Sequence, residues 1–386
     1  MRILYYCWNE NSSVDIQQAF TRLGEQFIKV SYPLKNYDTD SEFESQIKQL
    51  INQQKLDCIF TFNYFPILSN IAGASGIKYI SWVYDCPHST LYSHTITNEC
   101  NYIFVFDRYM EQIVASLGAV HVYHLPLAVN TGHVNSLLNL PECLADGVYE
   151  SEVSFVGALY ENNMYSQIKF LPEYIKGYFD GIISSQKAIW GYNFVEELLL
   201  ENIVEETGKY IKFDENPKYR FSYKTILSDM INKKITSDER ITLLGSIADK
   251  YSLDLYTASD SSVIKNCNPR GIISYHEEMP RVFNRSKINI NISLRSIKSG
   301  IPLRCLDIMG AGGFLLSNYQ PELAEYFIPN EDFVYFESEQ DLMDKIQYYL
   351  EHEDERKQIA YNGWLKIQQF FSYETQFSLI REAVNK

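Results

Sequence analysis

Residues 287–293 alternate isoleucine with asparagine, the period of two that sends successive side chains to opposite faces of a strand. A short basic loop over 294–300 follows. A helix then opens at Pro302, whose missing N–H is not needed in a first turn. Gly312 and Gly313 stop that helix, and 314–317 begins another apolar strand. The same grammar of strand, turn and helix fills the rest of the chain. The first half predicts strands at 1–7, 27–32, 58–62, 79–84, 102–106 and 122–125, separated by helices at 14–24, 42–54, 67–76 and 109–118. A second series begins with a strand at 153–156. Long amphipathic helices then break the rhythm over about 162–238, which reads as an insertion. Strands return at 241–245, 253–256, 271–275, 288–292, 314–317 and 333–336, with helices from 339 to the C-terminus.

Alternating strands and helices imply βαβ units and parallel sheets. The expected architecture is therefore α/β, with two doubly wound Rossmann-like domains facing a central cleft. The first is expected over 1–150 and the second over 151–372, with the helical insertion in the second. A last helix over 373–386 is expected to pack back on the first domain. Such folds bind ligands at the carboxyl edges of their strands.

The helix after Pro302 carries the chain's most suggestive chemistry. Gly300, Arg304, Asp307 and Ala311 share one face by three-and-four spacing. A strand-to-helix turn presents unbonded N–H groups and a positive dipole end to an anion. Arg304 adds a bidentate phosphate donor one turn in, and Asp307 is placed to accept from a vicinal diol such as a ribose. The plainer alternative is a core helix in which Arg304 and Asp307 pair with each other. Asp85 and His88 follow an apolar strand in WVYDCPH, where a carboxylate or imidazole can deprotonate an acceptor hydroxyl; the alternative for Asp85 is a helix cap. Gly157 ends the first strand of the second domain and permits close backbone approach, or is only a turn. Asn289 and Asn291 are odd in a buried strand, because their amides need partners.

Composition narrows the class. The chain has 386 residues, 46% hydrophobic and 22% charged, with a net charge of −15. That excess of acid opposes a nucleic-acid partner, which clustered Lys and Arg would serve. The seven cysteines include no C-x-x-C pair, so neither a disulfide framework nor a zinc site is expected, and the histidines show no metal spacing. With no signal segment and no apolar run long enough to span a bilayer, the expected location is cytoplasmic.

The stretches SWVYDCPH, VFDR, LPLAVN, SFVGALY and SKININIS, then SGIPLRCLDIMGAGGFLLSNYQPEL and ERKQIAYNG, resemble the spore-maturation (CgeB-like) glycosyltransferases of the GT-B superfold, which are related to family-four enzymes. The resemblance covers most of both domains but not the helical insertion. It implies a sugar moved from a UDP- or GDP-linked nucleotide donor, held by the second domain, to a hydroxyl-bearing acceptor on the first. It implies no other cofactor and no metal ion. Family-four enzymes hold the donor with two glutamates eight positions apart. Asp307 occupies the second position, as the ribose ligand, and Ser299 the first, so Ser299 and Gly300 are expected to touch the diphosphate or sugar. The basic pair that such enzymes carry after the first strand of the second domain is missing from GALYENN. Arg304, with Arg281 or Arg285, is expected to supply that charge. Tyr275 and His276 fall in the region that meets the base. Two alternatives stay open: a nucleotide-sugar epimerase or hydrolase on the same fold, and a non-catalytic carbohydrate-binding or coat-assembly protein.

Overall fold

The computed structural model describes residues 1–141, 148–168, 170–212, 218–220 and 222–386. It divides into two compact units, the first made of Met1–Ala128, residues 218–220 and Ser372–Lys386. Among the described residues each unit contains one six-stranded sheet, and every strand pair is parallel.

The first unit runs β1 (Arg2–Tyr6), α1 (Ser13–Arg22), β2 (Gln26–Val30), α2 (Ser41–Gln54), β3 (Cys58–Phe62), α3 (Pro66–Ser75), β4 (Lys78–Val83), β5 (Asn101–Val105), α4 (Arg108–Ser116) and β6 (Val122–His124). The spatial order is β2-β1-β3-β4-β5-β6. Both faces of this sheet are covered, so its strands are nearly continuous apolar runs. Leu4, Ile59 and Tyr79 face Phe43, Ile47 and Leu68 of α2 and α3. On the other face Tyr5, Phe60 and Phe104 meet Ile16 and Phe20 of α1 and Phe377 and Ile380 of the C-terminal helix Tyr373–Asn385. The Phe20 and Phe377 rings lie 4.6 Å apart and edge-on. Burying each such ring contributes about 1.5–3 kcal/mol.

The second unit starts at Val129, not near residue 150. The reason is local: the Val129 N–H bonds to the Phe371 carbonyl, and α5 (Thr131–Leu138) packs on a later helix of the same unit. Its strands are β7 (Ser151–Val156), β8 (Leu253–Tyr256), β9 (Asn268–Gly271), β10 (Ser286–Asn291), β11 (Leu315–Asn318) and β12 (Val334–Phe336), ordered β12-β11-β10-β7-β8-β9. Among the described residues four α-helices, α6 (Glu173–Lys187), α7 (Val195–Leu198), α8 (Glu201–Thr207) and α9 (Tyr223–Lys250), separate β7 from β8. The expected insertion falls here, and its residues 169, 213–217 and 221 lie outside the described ones. The rest builds a core of its own, with Phe179 and Ile183 of α6 against Leu227 and Ile231 of α9. Next come α10 (Met279–Asn284), α11 (Leu303–Gly310), α12 (Pro321–Tyr326), α13 (Glu339–Glu351) and α14 (Glu353–Phe370).

One expected strand is helix and another is displaced. Residues 241–245 lie inside α9, where Leu243, Leu244 and Ile247 recur at helical spacing and pack on Val153 and Leu255 of the sheet. The run ITLL, opened by β-branched Ile241 and Thr242, imitates a strand only when read without its neighbours. Residues 272–275 follow β9, which ends at Gly271 with φ of +75°. No described helix is long and apolar enough to cross a membrane.

Candidate functional site

In the second sheet the chain leaves β7 toward β8 on one side, and β10 is added on the other. The strand order therefore reverses between β7 and β10, and the crevice outside their carboxyl ends is the place where open α/β sheets bind ligands. Gly157 closes the β7 side. Its N–H bonds to the Tyr256 carbonyl at 3.0 Å, and a Cβ there would lie 3.2 Å from the Phe155 ring and 3.5 Å from an Arg240 nitrogen. On the β10 side Ile292 and Ser293 lead into the loop before α11.

That loop is held from below by buried charge. Arg295 makes a bidentate pair with Glu239 of α9, with Nε to Oε2 at 2.9 Å and Nη2 to Oε1 at 2.5 Å. Its guanidinium stacks 3.8 Å over the Trp190 ring, and its backbone N–H reaches the Thr236 hydroxyl. Burial pushes the Glu239 carboxyl up, against the opposing pull of Arg295. The expected polar network on β10 is present. Asn289 bonds to Ser154 and to the Phe283 and Phe314 carbonyls, and Asn291 bonds to Ser293 and Ser317.

Helix α11 begins at Leu303 with Pro302 as its N-cap and no side-chain cap bond. Asp307 is 9% exposed, and its Oδ1 accepts from the Tyr275 hydroxyl at 3.0 Å. Arg304 Nη1 lies 3.5 Å from Asp307 Oδ2, so the pairing of Arg304 with Asp307 is real. The same guanidinium donates to the Met279 sulfur and sits 5.3 Å from the Phe283 ring centre. Its side chain keeps 27% of its surface exposed, so the pairing does not seal it. Tyr275, Arg304 and Asp307 thus form one constellation, with the Tyr275 hydroxyl committed to Asp307. His276 is beside it, and its carbonyl is met by the His133 ring at 3.1 Å.

Ser299 and Gly300 lie in the loop before α11. The Ser299 hydroxyl donates to Glu322 Oε1 at 2.7 Å, and the Glu322 N–H returns to the Ser299 carbonyl at 3.1 Å. Glu322 opens α12 and is 1% exposed. A carboxylate therefore stands beside the position where the sequence shows only a serine.

The cation at the crevice is one the motifs did not indicate. Arg240 of α9 donates through Nε to the Ile292 carbonyl at 3.0 Å, through Nη2 to the same oxygen, and through Nη1 to the Ala158 carbonyl. It bridges the ends of β7 and β10. Burial brings its pKa down to about 10. A cation thus reaches the ends of β7 and β10 from a helix about eighty residues away, and its sequence signal was an arginine on the apolar side of a helical repeat.

Arg281 and Arg285 do not join this group. Arg285 caps the end of α10 and pairs with Glu150 just ahead of β7, at the amino edge of the sheet. Arg281 lines a cavity at that same edge. The α10 helix runs from carboxyl-edge loop to amino edge before β10 begins, so its last turn carries both arginines away from the crevice.

In the first unit Asn63 follows β3 with φ of +62°, and its side chain organises the end of β4. Its Oδ1 accepts from the Tyr84 and Asp85 N–H groups, and its Nδ2 donates to Asp85 Oδ2 at 2.7 Å. The Asp85 carboxylate remains 61% exposed. His88 is different. Its Nε2 lies 3.1 Å from the Tyr64 amide nitrogen and 3.3 Å from the Tyr64 carbonyl, and its Nδ1 is 3.8 Å from Asp85 Oδ2. Burial pushes the imidazole below its ordinary value while Asp85 opposes this. The same Nε2 is 2.7 Å from the Thr90 hydroxyl, so the ring is tied to the loop after β4. Among the described residues no group of His, Cys, Asp and Glu is arranged to hold a metal ion.

Residues 224–381 match the model of the family described as glycosyl transferase-like. No curated protein matches the chain in sequence. Solved structures resemble it over its whole length. Anabaena Alr3699/HepE, solved with UDP and glucose, shares 8% identity, with 100% of this chain and 99% of that one covered at a TM-score of 0.57. The fold is GT-B. Sucrose-phosphate synthase from Thermosynechococcus elongatus shares the GT-B fold at 11% identity, 100% and 98% coverage and TM-score 0.57. The T4 phage enzyme BGT, solved with UDP-glucose, does so at 9% identity, 100% coverage of both chains and TM-score 0.53.

Proposed function

We propose that this GT-B chain is a glycosyltransferase of the CgeB-like type, taking a sugar from a nucleotide diphosphate to a hydroxyl-bearing acceptor. The observation that carries the reading is the meeting of Tyr275, Arg304 and Asp307 on the α11 side of the β7–β10 crevice, within the segment that matches the glycosyl transferase-like family. UDP is the favoured nucleotide over GDP, since HepE and BGT were solved with UDP or UDP-glucose.

In this reading Asp307 accepts from the ribose hydroxyls and Tyr275 fixes its carboxylate. Arg304 and the first-turn amides of α11 take the diphosphate. The departing nucleotide gains negative charge as the glycosidic bond breaks, and fixed cations and dipoles stabilise it without reorganising. Arg240 keeps the crevice positive and its rim rigid. These protein charges do the work a metal would otherwise do, so activity is expected to survive chelation. Glu322, hydrogen-bonded to Ser299, supplies the carboxylate for a sugar hydroxyl. In the first unit the exposed Asp85 is the group offered to the acceptor hydroxyl.

The test is a thermal-shift series with UDP, GDP and UDP-glucose, with and without EDTA. A ligand that binds only the folded state raises its transition. UDP should stabilise the wild type in EDTA, and Asp307→Ala should weaken binding about tenfold or more, the loss of one charge-assisted hydrogen bond. No response to any nucleotide would remove the transferase reading. Consumption of UDP-glucose with no acceptor present would favour an epimerase or hydrolase.

A further inference from the structure

At the amino edge of the second sheet, opposite the β7–β10 crevice, a cavity of 210 Å³ is lined by Arg281, Arg285, Lys287, Arg356 and Lys357 together with the Tyr149 ring. Five cations converge in a protein of net charge −15, and among the described residues no acidic one lines the cavity. Nearby carboxylates offset only part of this. Glu150 pairs with Arg285, and Glu353 pairs with Lys357 at 2.8 Å. Arg281 and Lys287 have no ion pair among the described residues.

Arg356 is the telling member. It is 1% exposed, yet only its Nη1 is used, donating to the Tyr349 carbonyl at 2.6 Å. Its Nε and Nη2 are buried with no hydrogen-bond partner among the described residues, and Glu353 is 3.9 Å from Nη2, beyond hydrogen-bonding reach. A buried guanidinium edge without an acceptor carries an unmet cost of desolvation. Nε and Nη2 form the edge that grips an oxyanion bidentately. The guanidinium also lies 5.1 Å from the Tyr149 ring centre, which steadies its plane.

We infer that this cavity is a second anion site, taking a phosphate group of a small molecule, with Arg356 as its buried bidentate donor and Arg281, Lys287 and Lys357 as the rim. The site lies at the edge of the sheet away from the Tyr275–Arg304–Asp307 group and stands whether or not that group binds a nucleotide.

Orthophosphate and pyrophosphate are the probes, added to the full chain at ionic strength held constant with sodium chloride. The expected result is a rise in melting temperature beyond the chloride control with at least one of them, and a saturable calorimetric titration. Binding should fall about tenfold or more, one lost charged contact's worth, in Arg281→Ala/Lys287→Ala, whose changes lie on the accessible rim, and in Arg356→Lys, which keeps the charge but loses the fork. Arg304→Ala should leave this binding intact. The inference is overturned if neither phosphate exceeds the chloride control, or if the rim variant binds as the wild type does. It is equally overturned if Arg304→Ala alone abolishes the response, because the anion then occupies the opposite edge.

Discussion

Replacing Glu239 by leucine tests how the loop carrying the candidate site is held. The Glu239 and Arg295 side chains are 4% and 7% exposed, and the carboxylate neutralises a guanidinium locked between Trp190 and the Ile189 carbonyl. Removing one member of a buried pair leaves the other charge without compensation, which costs about 3–5 kcal/mol. A unit of this size shifts by about 2–4 °C per kcal/mol, so its transition should fall by roughly 6–20 °C. Differential scanning calorimetry reads this directly, with the UDP-induced shift measured alongside because the Arg295 loop leads into α11. The companion Glu239→Leu/Arg295→Met removes both charges and should recover most of the loss. A single variant that melts within about 2 °C of the wild type, less than 1 kcal/mol on that scale, would refute the reasoning. So would a double variant as unstable as the single one, because the cost would then come from packing and not from charge.

Three further outcomes follow from other contacts. Arg240→Lys keeps a charge but cannot chelate the Ile292 carbonyl while reaching Ala158; it should cost about 1–3 kcal/mol in urea unfolding, and an unchanged midpoint would show the bridge to be idle. Gly363→Ala in α14 would put a Cβ 2.5 Å from the Asp332 carbonyl and 3.2 Å from the Met309 sulfur, so it should destabilise by about 1–3 kcal/mol, and a neutral melting temperature would contradict that geometry. His88 is held neutral by burial, with its pKa below the ordinary value of about 6.5. The unfolded chain therefore binds the extra proton, and the stability due to His88 is present above that value and lost as pH falls from it toward the folded one. The melting-temperature difference between wild type and His88→Gln should shrink between pH 7.5 and 5.5; a constant difference would refute the assignment.

Residues 287–318 were legible as strand, loop, helix and strand because each segment carries its own local signal: alternation on β10, a proline before α11, and glycines after it. The amides of Asn289 and Asn291 announced a buried polar network because nothing apolar can satisfy them. The Asp307 and Arg304 spacing was equally local, and it placed both on one helix face. Residues 241–245 misled because a short, mainly apolar run looks the same in a strand and on the buried side of a long helix. Sequence shows the His88 imidazole but not that Tyr64 and Thr90 meet its Nε2 in the fold.

The chain by itself determined that its strands are parallel and covered on both faces, since only buried strands tolerate runs such as CIFTF between amphipathic helices. It also determined that a helix start bearing Arg304 and Asp307 follows one of them. What the folded chain alone decided is which distant groups gather there. Arg240 reaches the ends of β7 and β10 from α9, Glu322 comes to Ser299 from α12, and Arg281 and Arg285 are carried to the opposite edge by the length of α10. Local residue pattern follows from backbone geometry a few positions at a time. The gathering of charge depends on how long each helix runs before the chain turns back, and no short motif records that.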